Sequence, residues 1–147
     1  MKEYLINDNT LALIPLGKKK TIIYEDHDCY IIDEKINKIM DSNCQYYGSS
    51  LAGRTKKTND MTGQSYKAPI IVSEKKPTVF FPTCSPRLKD CAWINASNID
   101  KIKELDDKCQ IEFLNEESLE IDETYRIINN QYLRSLSLKN TFKNHSK

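Results

Sequence analysis

Short apolar runs alternate with polar turns along most of the chain, a pattern that predicts strands. In TLALIPL (10–16), Leu11 and Leu13 alternate with Ala12 before Pro15 interrupts the run. Similar runs, rich in β-branched and aromatic residues, follow at TIIYED (21–26), CYIID (29–33), PIIV (69–72), TVFFP (78–82) and CAWINASNI (91–99). Because several neighbouring runs are joined by polar turns of hairpin length, we predict that they pair antiparallel.

A further hairpin is predicted at QIEFLNEESLEID (110–122). Its apolar positions fall on one face, with Ile111 and Phe113 opposite Leu119 and Ile121. The alternate positions, which include two glutamates, fall on the other face. Such alternation is typical of an antiparallel sheet with one face in water.

Two segments have a helical period instead. The first is centred on residues 44–55, with Ser42 as its N-cap and one face made of Cys44, Tyr47, Gly48, Leu51, Ala52 and Thr55. The second stripe, near the C terminus, consists of Ile121, Tyr125, Ile128, Tyr132 and Leu136. The whole pattern predicts a single α+β domain over residues 1–147, with a mostly antiparallel sheet of about seven short strands and two helices. Residues 139–147 are expected to fray.

Composition narrows the class of protein. The 147 residues contain no apolar run of the roughly 20 residues that cross a bilayer, and MKEYLINDNT lacks the pattern of a signal peptide. We therefore expect a cytoplasmic protein without a membrane partner. The five cysteines are odd in number, which favours reduced thiols, and the spacing of Cys84 and Cys91 is not that of a zinc site. No metal or other cofactor is expected.

Charge is unevenly distributed along the chain. Residues 48–89 carry eight basic residues against two acidic ones, whereas residues 100–123 carry ten acidic residues against three basic ones. This separation can direct a polyanion to one side of the molecule. The alternative is two solvated surfaces that have no partner.

The segment GSSLAGRT (48–55) differs by one residue from the phosphate-loop pattern G-x-x-x-x-G-K-[ST]. Two features disfavour a nucleoside triphosphatase. The preceding segment, MDSNCQYY (40–47), is not a buried strand. In addition, Arg54 replaces the usual lysine. The small residues would allow close approach of a nucleic-acid backbone. They would equally allow a helix to pack closely on a sheet.

The stretch from Asn43 to Ile94 closely resembles the ComK family of bacterial competence transcription factors. The resemblance rests on a tyrosine pair before GSS, on AGR, on K-x-P-I-x-V, on FFPT and on C-x-W-I, which here occupy 46–47, 52–54, 67–72, 80–83 and 91–94. It extends more weakly from the first strand through YLR at 132–134.

The resemblance implies a DNA-binding activator of DNA-uptake genes, without enzymatic activity. It implies binding to double-stranded DNA at AT-rich promoter boxes through the minor groove. It also implies self-association as a homodimer or dimer of dimers, and contacts with RNA polymerase and a Clp protease adaptor. Family members usually carry a longer C-terminal tail linked to activation and proteolysis. Since this chain ends soon after SLSLKNTFKNHSK, tail-dependent control is not expected to carry over fully.

Eight residues are the predicted DNA contacts. Arg54 and Arg87, the only arginines of the basic stretch, are candidates for the minor groove, whose negative potential is strongest in A-tracts. Phosphate contacts are assigned to Lys56, Lys57, Lys67 and Lys89, and backbone-positioning hydrogen bonds to Ser49 and Ser50. The alternatives are a non-enzymatic adaptor protein and a nucleotide-binding protein.

Overall fold

A computed structural model of the protein describes residues 4–88 and 90–145. The strands are β1 (Thr10–Leu16), β2 (Lys20–Glu25), β3 (Asp28–Ile32), β4 (Ile70–Ser73), β5 (Thr78–Pro82), β6 (Trp93–Asn95), β7 (Ile99–Glu104), β8 (Cys109–Phe113) and β9 (Ser118–Ile121). The helices are α1 (Ile36–Tyr46), α2 (Leu51–Thr62) and α3 (Tyr125–His145). Within the described residues, no helix carries an apolar stretch long enough to cross a membrane.

Six strands form one antiparallel sheet in the order β3-β2-β1-β6-β5-β4. Its centre is apolar on both faces, because it is covered on both sides. Trp93 packs with α1 on one face, where it meets Met40 and Cys44. Its neighbour Ile94 faces the opposite side, towards Ile128 of α3 and the second sheet. The α+β class and the antiparallel pairing predicted from the sequence are confirmed.

The second sheet has the order β7-β8-β9 and includes the predicted hairpin. Ile111 pairs with Leu119 as expected, while Ile121 pairs with Cys109. Strand β7 was not predicted. A register irregularity between Ile99 and Lys101 interrupts the two-residue period of this strand, so its apolar residues do not alternate in the sequence. The described chain therefore has nine strands rather than about seven.

The prediction of one helix around residues 44–55 is wrong, because this region contains two helices. Gly48 has a φ of 101°, a left-handed conformation that glycine adopts without steric cost and that ends α1. Ser50 is extended and begins α2, since its hydroxyl oxygen accepts a hydrogen bond from the Gly53 N–H at 2.9 Å. Ser42, the predicted N-cap, lies inside α1.

The predicted C-terminal helix exists, although its stripe begins too early, since Ile121 belongs to β9. Residues 139–145, which were expected to fray, continue α3 to His145. Leu138 and Phe142, four residues apart, are buried against Ile71 and Val79 of the large sheet. This contact gives the last turns of the helix a packing partner that the sequence pattern did not identify.

The first prediction concerns Asn43, which ties the N-terminal segment to α1. Its Oδ1 accepts from the Ile6 N–H at 2.7 Å, and its Nδ2 donates to the carbonyls of Tyr4 and Ile39 at 3.0 and 2.9 Å. Asn43→Ala would leave a buried N–H unpaired, so the free energy of unfolding in urea should fall by about 1–3 kcal/mol. Gln45→Ala, an exposed position on the same helix, should change it by less than about 0.5 kcal/mol. Equal stability of the two variants would contradict this role.

Candidate nucleic-acid interface

Residues 85–88 form a turn between β5 and β6 that carries the exposed Arg87, and we call this turn the arginine ridge. The Leu88 N–H closes it by donating to the Ser85 carbonyl at 2.9 Å. Arg87 and Leu88 are both exposed at its tip. Helix α1 holds the ridge in place, because Asn37 Nδ2 donates to the Pro86 carbonyl at 2.7 Å.

The same asparagine connects the ridge to the core. Asn37 Oδ1 accepts a hydrogen bond from the indole Nε1 of Trp93 at 3.1 Å. Trp93 is 1% exposed and lies on β6, one of the two central strands of the large sheet. The turn that carries Arg87 is therefore coupled through two hydrogen bonds of Asn37 to a fully buried tryptophan of the core.

A groove lies on each side of the arginine ridge. The first, the lysine groove, has a volume of about 330 Å³ and is lined by Pro15, Gly17, Lys18, Lys20, Lys35, Ile36, Asn37, Pro86, Arg87 and Leu88. The second, the tyrosine groove, has a volume of about 360 Å³ and is lined by Leu51, Thr55, Ser65, Tyr66, Lys67, Ala68, Ser85, Pro86, Arg87 and Trp93. Arg87 belongs to both, and none of these lining residues is acidic.

The lysine groove was missed by the sequence analysis. Its cations come from the β1–β2 turn, which reads GKKK at 17–20, and from Lys35, just before α1. They lie outside the basic stretch at 48–89, so a count of charge along the chain does not join them to Arg87. The run of three lysines in a predicted hairpin turn was the available signal.

In the tyrosine groove, helix α3 fixes the loop that carries Lys67. Gln131, which is buried, donates through Nε2 to the Lys67 carbonyl at 2.8 Å, and Arg134 donates through Nη2 to the Tyr66 carbonyl at 2.8 Å. The Lys67 ammonium lies 5.3 Å from the centre of the exposed Tyr66 ring. This arrangement places a cation beside an exposed aromatic face.

Arg54 has a different environment from Arg87. It is only 4% exposed, and its guanidinium donates through Nη2 to the Tyr47 carbonyl at 3.0 Å and pairs through Nη1 with Glu74 at 3.0 Å. Its Nε is buried without a hydrogen-bond partner among the described residues. Arg54 therefore joins the turn between α1 and α2 to the β4–β5 hairpin.

The other two cations of α2 also have acidic partners. Lys57 shares the Glu74 carboxylate with Arg54, and hydrogen bonding from Lys57 is the main cause of the lowered pKa of that carboxyl. Lys56 pairs with Asp60 at 2.8 Å on the exposed face of the helix. In contrast, no carboxylate within residues 4–88 and 90–145 lies at salt-bridge distance from Lys67 or Arg87. The predicted contact residues thus divide into a paired group on α2 and an unpaired group beside the ridge.

The start of α2 is not built as a phosphate loop. It follows a helix rather than a strand, and two of its first N–H groups are occupied: Leu51 donates to the Asp41 carboxylate at 2.8 Å and Gly53 donates to Ser50. A phosphate would have to displace a carboxylate from this helix terminus. Ser49 is half-buried beside Gly53, where an added Cβ would lie 2.6 Å from its Oγ. A larger residue at position 53 would require the Ser49 side chain to rotate away.

Two further expectations can be compared with the structure, and a third falls outside it. Lys89, a predicted phosphate contact, lies outside the described residues. The cysteines are free, with Cys44, Cys91 and Cys109 buried, Cys84 half-buried and Cys29 exposed. Asp26, His27 and Glu117 bring ligand atoms within 4.8 Å of one another. This group also connects two turns of the fold, because the His27 N–H in the β2–β3 turn donates to Glu117 in the β8–β9 turn at 2.9 Å.

Comparison with known proteins gives the same family as the sequence motifs. The family model described as ComK protein matches residues 1–147. The competence transcription factor of Bacillus subtilis (strain 168) is 30% identical over 146 residues, which cover 97% of this chain and 76% of that protein. No solved structure matches the chain. Since the family model spans the whole chain, the protein belongs to the ComK family.

Proposed function

We propose that this protein regulates the transcription of competence genes by binding double-stranded DNA at AT-rich promoter boxes. The name of the Bacillus subtilis relative, a competence transcription factor, supports the regulatory role. The arginine ridge carries the DNA-binding part of the proposal: Arg87 is exposed and unpaired among the described residues, between two grooves whose charged residues are all basic. The proposed role is non-enzymatic and requires no cofactor.

Arg87 is the residue that we assign to the minor groove. A narrow A-tract groove has a strong negative potential that favours an inserted guanidinium. The neighbouring Leu88, which is 57% exposed, is an apolar side chain of the kind that minor-groove proteins insert between base steps. The ridge is a tight turn closed by the Leu88 N–H and the Ser85 carbonyl, and both side chains are exposed at its tip.

Phosphate contacts are assigned to the lysines on both sides of the ridge. Lys18, Lys20 and Lys35 line one groove and Lys67 the other. A duplex seated over the ridge would place its two sugar-phosphate backbones over these grooves, where each lysine neutralises a phosphate without a required orientation. Tyr66 supplies an exposed ring edge beside the backbone.

Arg54 is reassigned to a positioning role. A guanidinium that is 4% exposed would have to leave both the Tyr47 carbonyl and Glu74 to enter a DNA groove, and separating a buried charge from its partners is costly. Ser50 is likewise engaged as the N-cap of α2. Lys56 and Lys57 keep a supporting electrostatic role near the duplex.

The second prediction tests groove reading by Arg87. Arg87→Ala should weaken binding to an AT-box duplex by about 1–3 kcal/mol and to a GC-rich duplex by much less, so discrimination between them falls. Arg87→Lys should keep the charge without restoring discrimination, because an ammonium lacks the planar fork of donors. The measurement is fluorescence anisotropy with both duplexes at several salt concentrations.

Lys56→Ala is the matched control, because Lys56 pairs with Asp60 on the exposed face of α2. It should change the affinity for both duplexes alike and only slightly. If Arg87→Ala instead weakens both duplexes equally, Arg87 contacts phosphate and the groove assignment is wrong. If it has no effect on either duplex, DNA binds elsewhere.

The third prediction concerns Asn37, which positions the ridge. Asn37→Ala removes the bond to the Pro86 carbonyl, so affinity for the AT-box duplex should fall roughly fivefold, equivalent to about 1 kcal/mol. In an Arg87→Ala background the same change should cost less than about twofold, since the residue that it positions is gone. Equal losses in both backgrounds would mean that Asn37 acts independently of Arg87. A far-UV spectrum and a melting curve of each variant verify folding.

The fourth prediction concerns assembly. We propose a homodimer about a two-fold axis, which matches the symmetry of inverted DNA boxes. Strand β3 is the outer strand of the large sheet, and Tyr30 and Ile31 on it are exposed, so two copies could pair edge to edge. Light scattering should give a dimer for the protein and a monomer for Ile31→Lys. Leu114→Lys, at a similarly exposed residue of the β8–β9 turn, should remain dimeric. A monomeric mass for the unmodified protein, both free and on a two-box duplex, would refute the proposal.

A further inference from the structure

Two cysteines stand at the two ends of the loop that carries the arginine ridge. Cys84 follows β5 and Cys91 precedes β6, so the loop begins at one and ends at the other. Neither residue has a part in the proposed DNA contact. Their placement across from each other nevertheless raises the question of whether a disulfide can join them.

The strand register sets the two residues directly opposite. Beyond the last ladder pair, Pro82 and Trp93, the two segments stay side by side: the Thr83 N–H donates to the Ala92 carbonyl at 2.9 Å, and the Ala92 N–H donates to the Thr83 hydroxyl at 3.0 Å. Continued by one more residue, the same register would place Cys84 opposite Cys91 as a non-hydrogen-bonded pair, the type whose Cα atoms lie about 4.5 Å apart in a regular ladder. A disulfide bridges Cα separations of roughly 4.4–6.8 Å. The backbone therefore needs little movement to accept one here.

The thiol contacts agree with this register. The Cys91 thiol donates to the Cys84 carbonyl at 3.1 Å. Burial raises the pKa of Cys91 to about 12, and its interaction with the Cys84 thiol contributes to the increase. Cys84 is half-buried and Cys91 is 1% exposed. An oxidant can thus reach Cys84 first, and Cys91 is the neighbouring thiol that lies beside the product.

We propose that Cys84 and Cys91 form a reversible intramolecular disulfide when the protein meets a peroxide. The Cys84 thiolate attacks the O–O bond and takes one oxygen as a sulfenic acid, and the other oxygen leaves as hydroxide and is protonated to water. The Cys91 sulfur then displaces the sulfenic hydroxyl, which leaves as water with the Cys91 proton. Two thiols are oxidised and the peroxide is reduced to two waters. An external dithiol restores the thiols by exchange.

The disulfide would close the loop that carries the arginine ridge. Closing the loop at its base restricts the backbone on which Arg87 is carried and leaves the Asn37 contact in place. The exposed, chemically accessible thiol of Cys29 is on β3, in another part of the fold, and provides an internal comparison. This inference does not depend on the DNA-binding proposal, since it concerns only the chemistry of the two thiols.

The test is a disulfide map of the folded protein after brief treatment with a small excess of hydrogen peroxide. Trypsin cleaves within the loop, so the two cysteines fall in separate peptides, 76–87 and 90–101. We expect these peptides to appear joined under non-reducing conditions in most of the monomeric protein, with a loss of about two mass units, and to separate after dithiothreitol.

Two variants make the result decisive. Cys84→Ser, at a half-buried position that tolerates the smaller hydroxyl, should abolish the linked peptides. Cys29→Ser should leave their yield unchanged. The proposal is overturned if peptides 76–87 and 90–101 remain separate while Cys29 is oxidised, or if the main product joins two different chains.

Discussion

The hydrogen-bonded link from Trp93 through Asn37 to Pro86 is the constraint on which the placement of the candidate site depends. Trp93 is fixed by the sheet that surrounds it, and Asn37 satisfies both the indole N–H and the Pro86 carbonyl. Asn37 can use its amide N–H and its amide oxygen in this way only if the first turn of α1 lies between Trp93 and the ridge. Trp93, the first turn of α1 and the turn that carries Arg87 therefore form a single structural unit.

The strands could be predicted from the sequence because the large sheet is built of short apolar runs in hairpin order. Where prediction failed, a local backbone feature had altered the period. The left-handed turn at Gly48 divides one apparent helix into two, and the irregularity after Ile99 hides β7. The extension of α3 depends on Phe142 meeting Val79, a contact distant in sequence that no local pattern contains.

The sequence predicted Arg87, Lys67 and Arg54 on an equal footing as DNA contacts, whereas the structure shows Arg54 to be 4% exposed and paired with Glu74. Linear charge density counts all cations alike, whereas the structure separates those that neutralise a carboxylate of the protein itself from those that do not. Glu74, which lies on the β4–β5 hairpin, forms salt bridges with two cations of α2, Arg54 and Lys57. The lysines at 17–20 join the site only because the β1–β2 turn folds beside the arginine ridge.

A lysine footprint tests this account most directly. The protein, free and on an AT-box duplex, is acetylated briefly with a small amine-reactive reagent, and the modification of each lysine is read by mass spectrometry. DNA should protect Lys18, Lys20, Lys35 and Lys67 while Lys56 on the exposed face of α2 stays reactive. Protection of Lys56 and Lys57, with the lysines beside the arginine ridge still reactive, would contradict it and place the duplex on the helix instead.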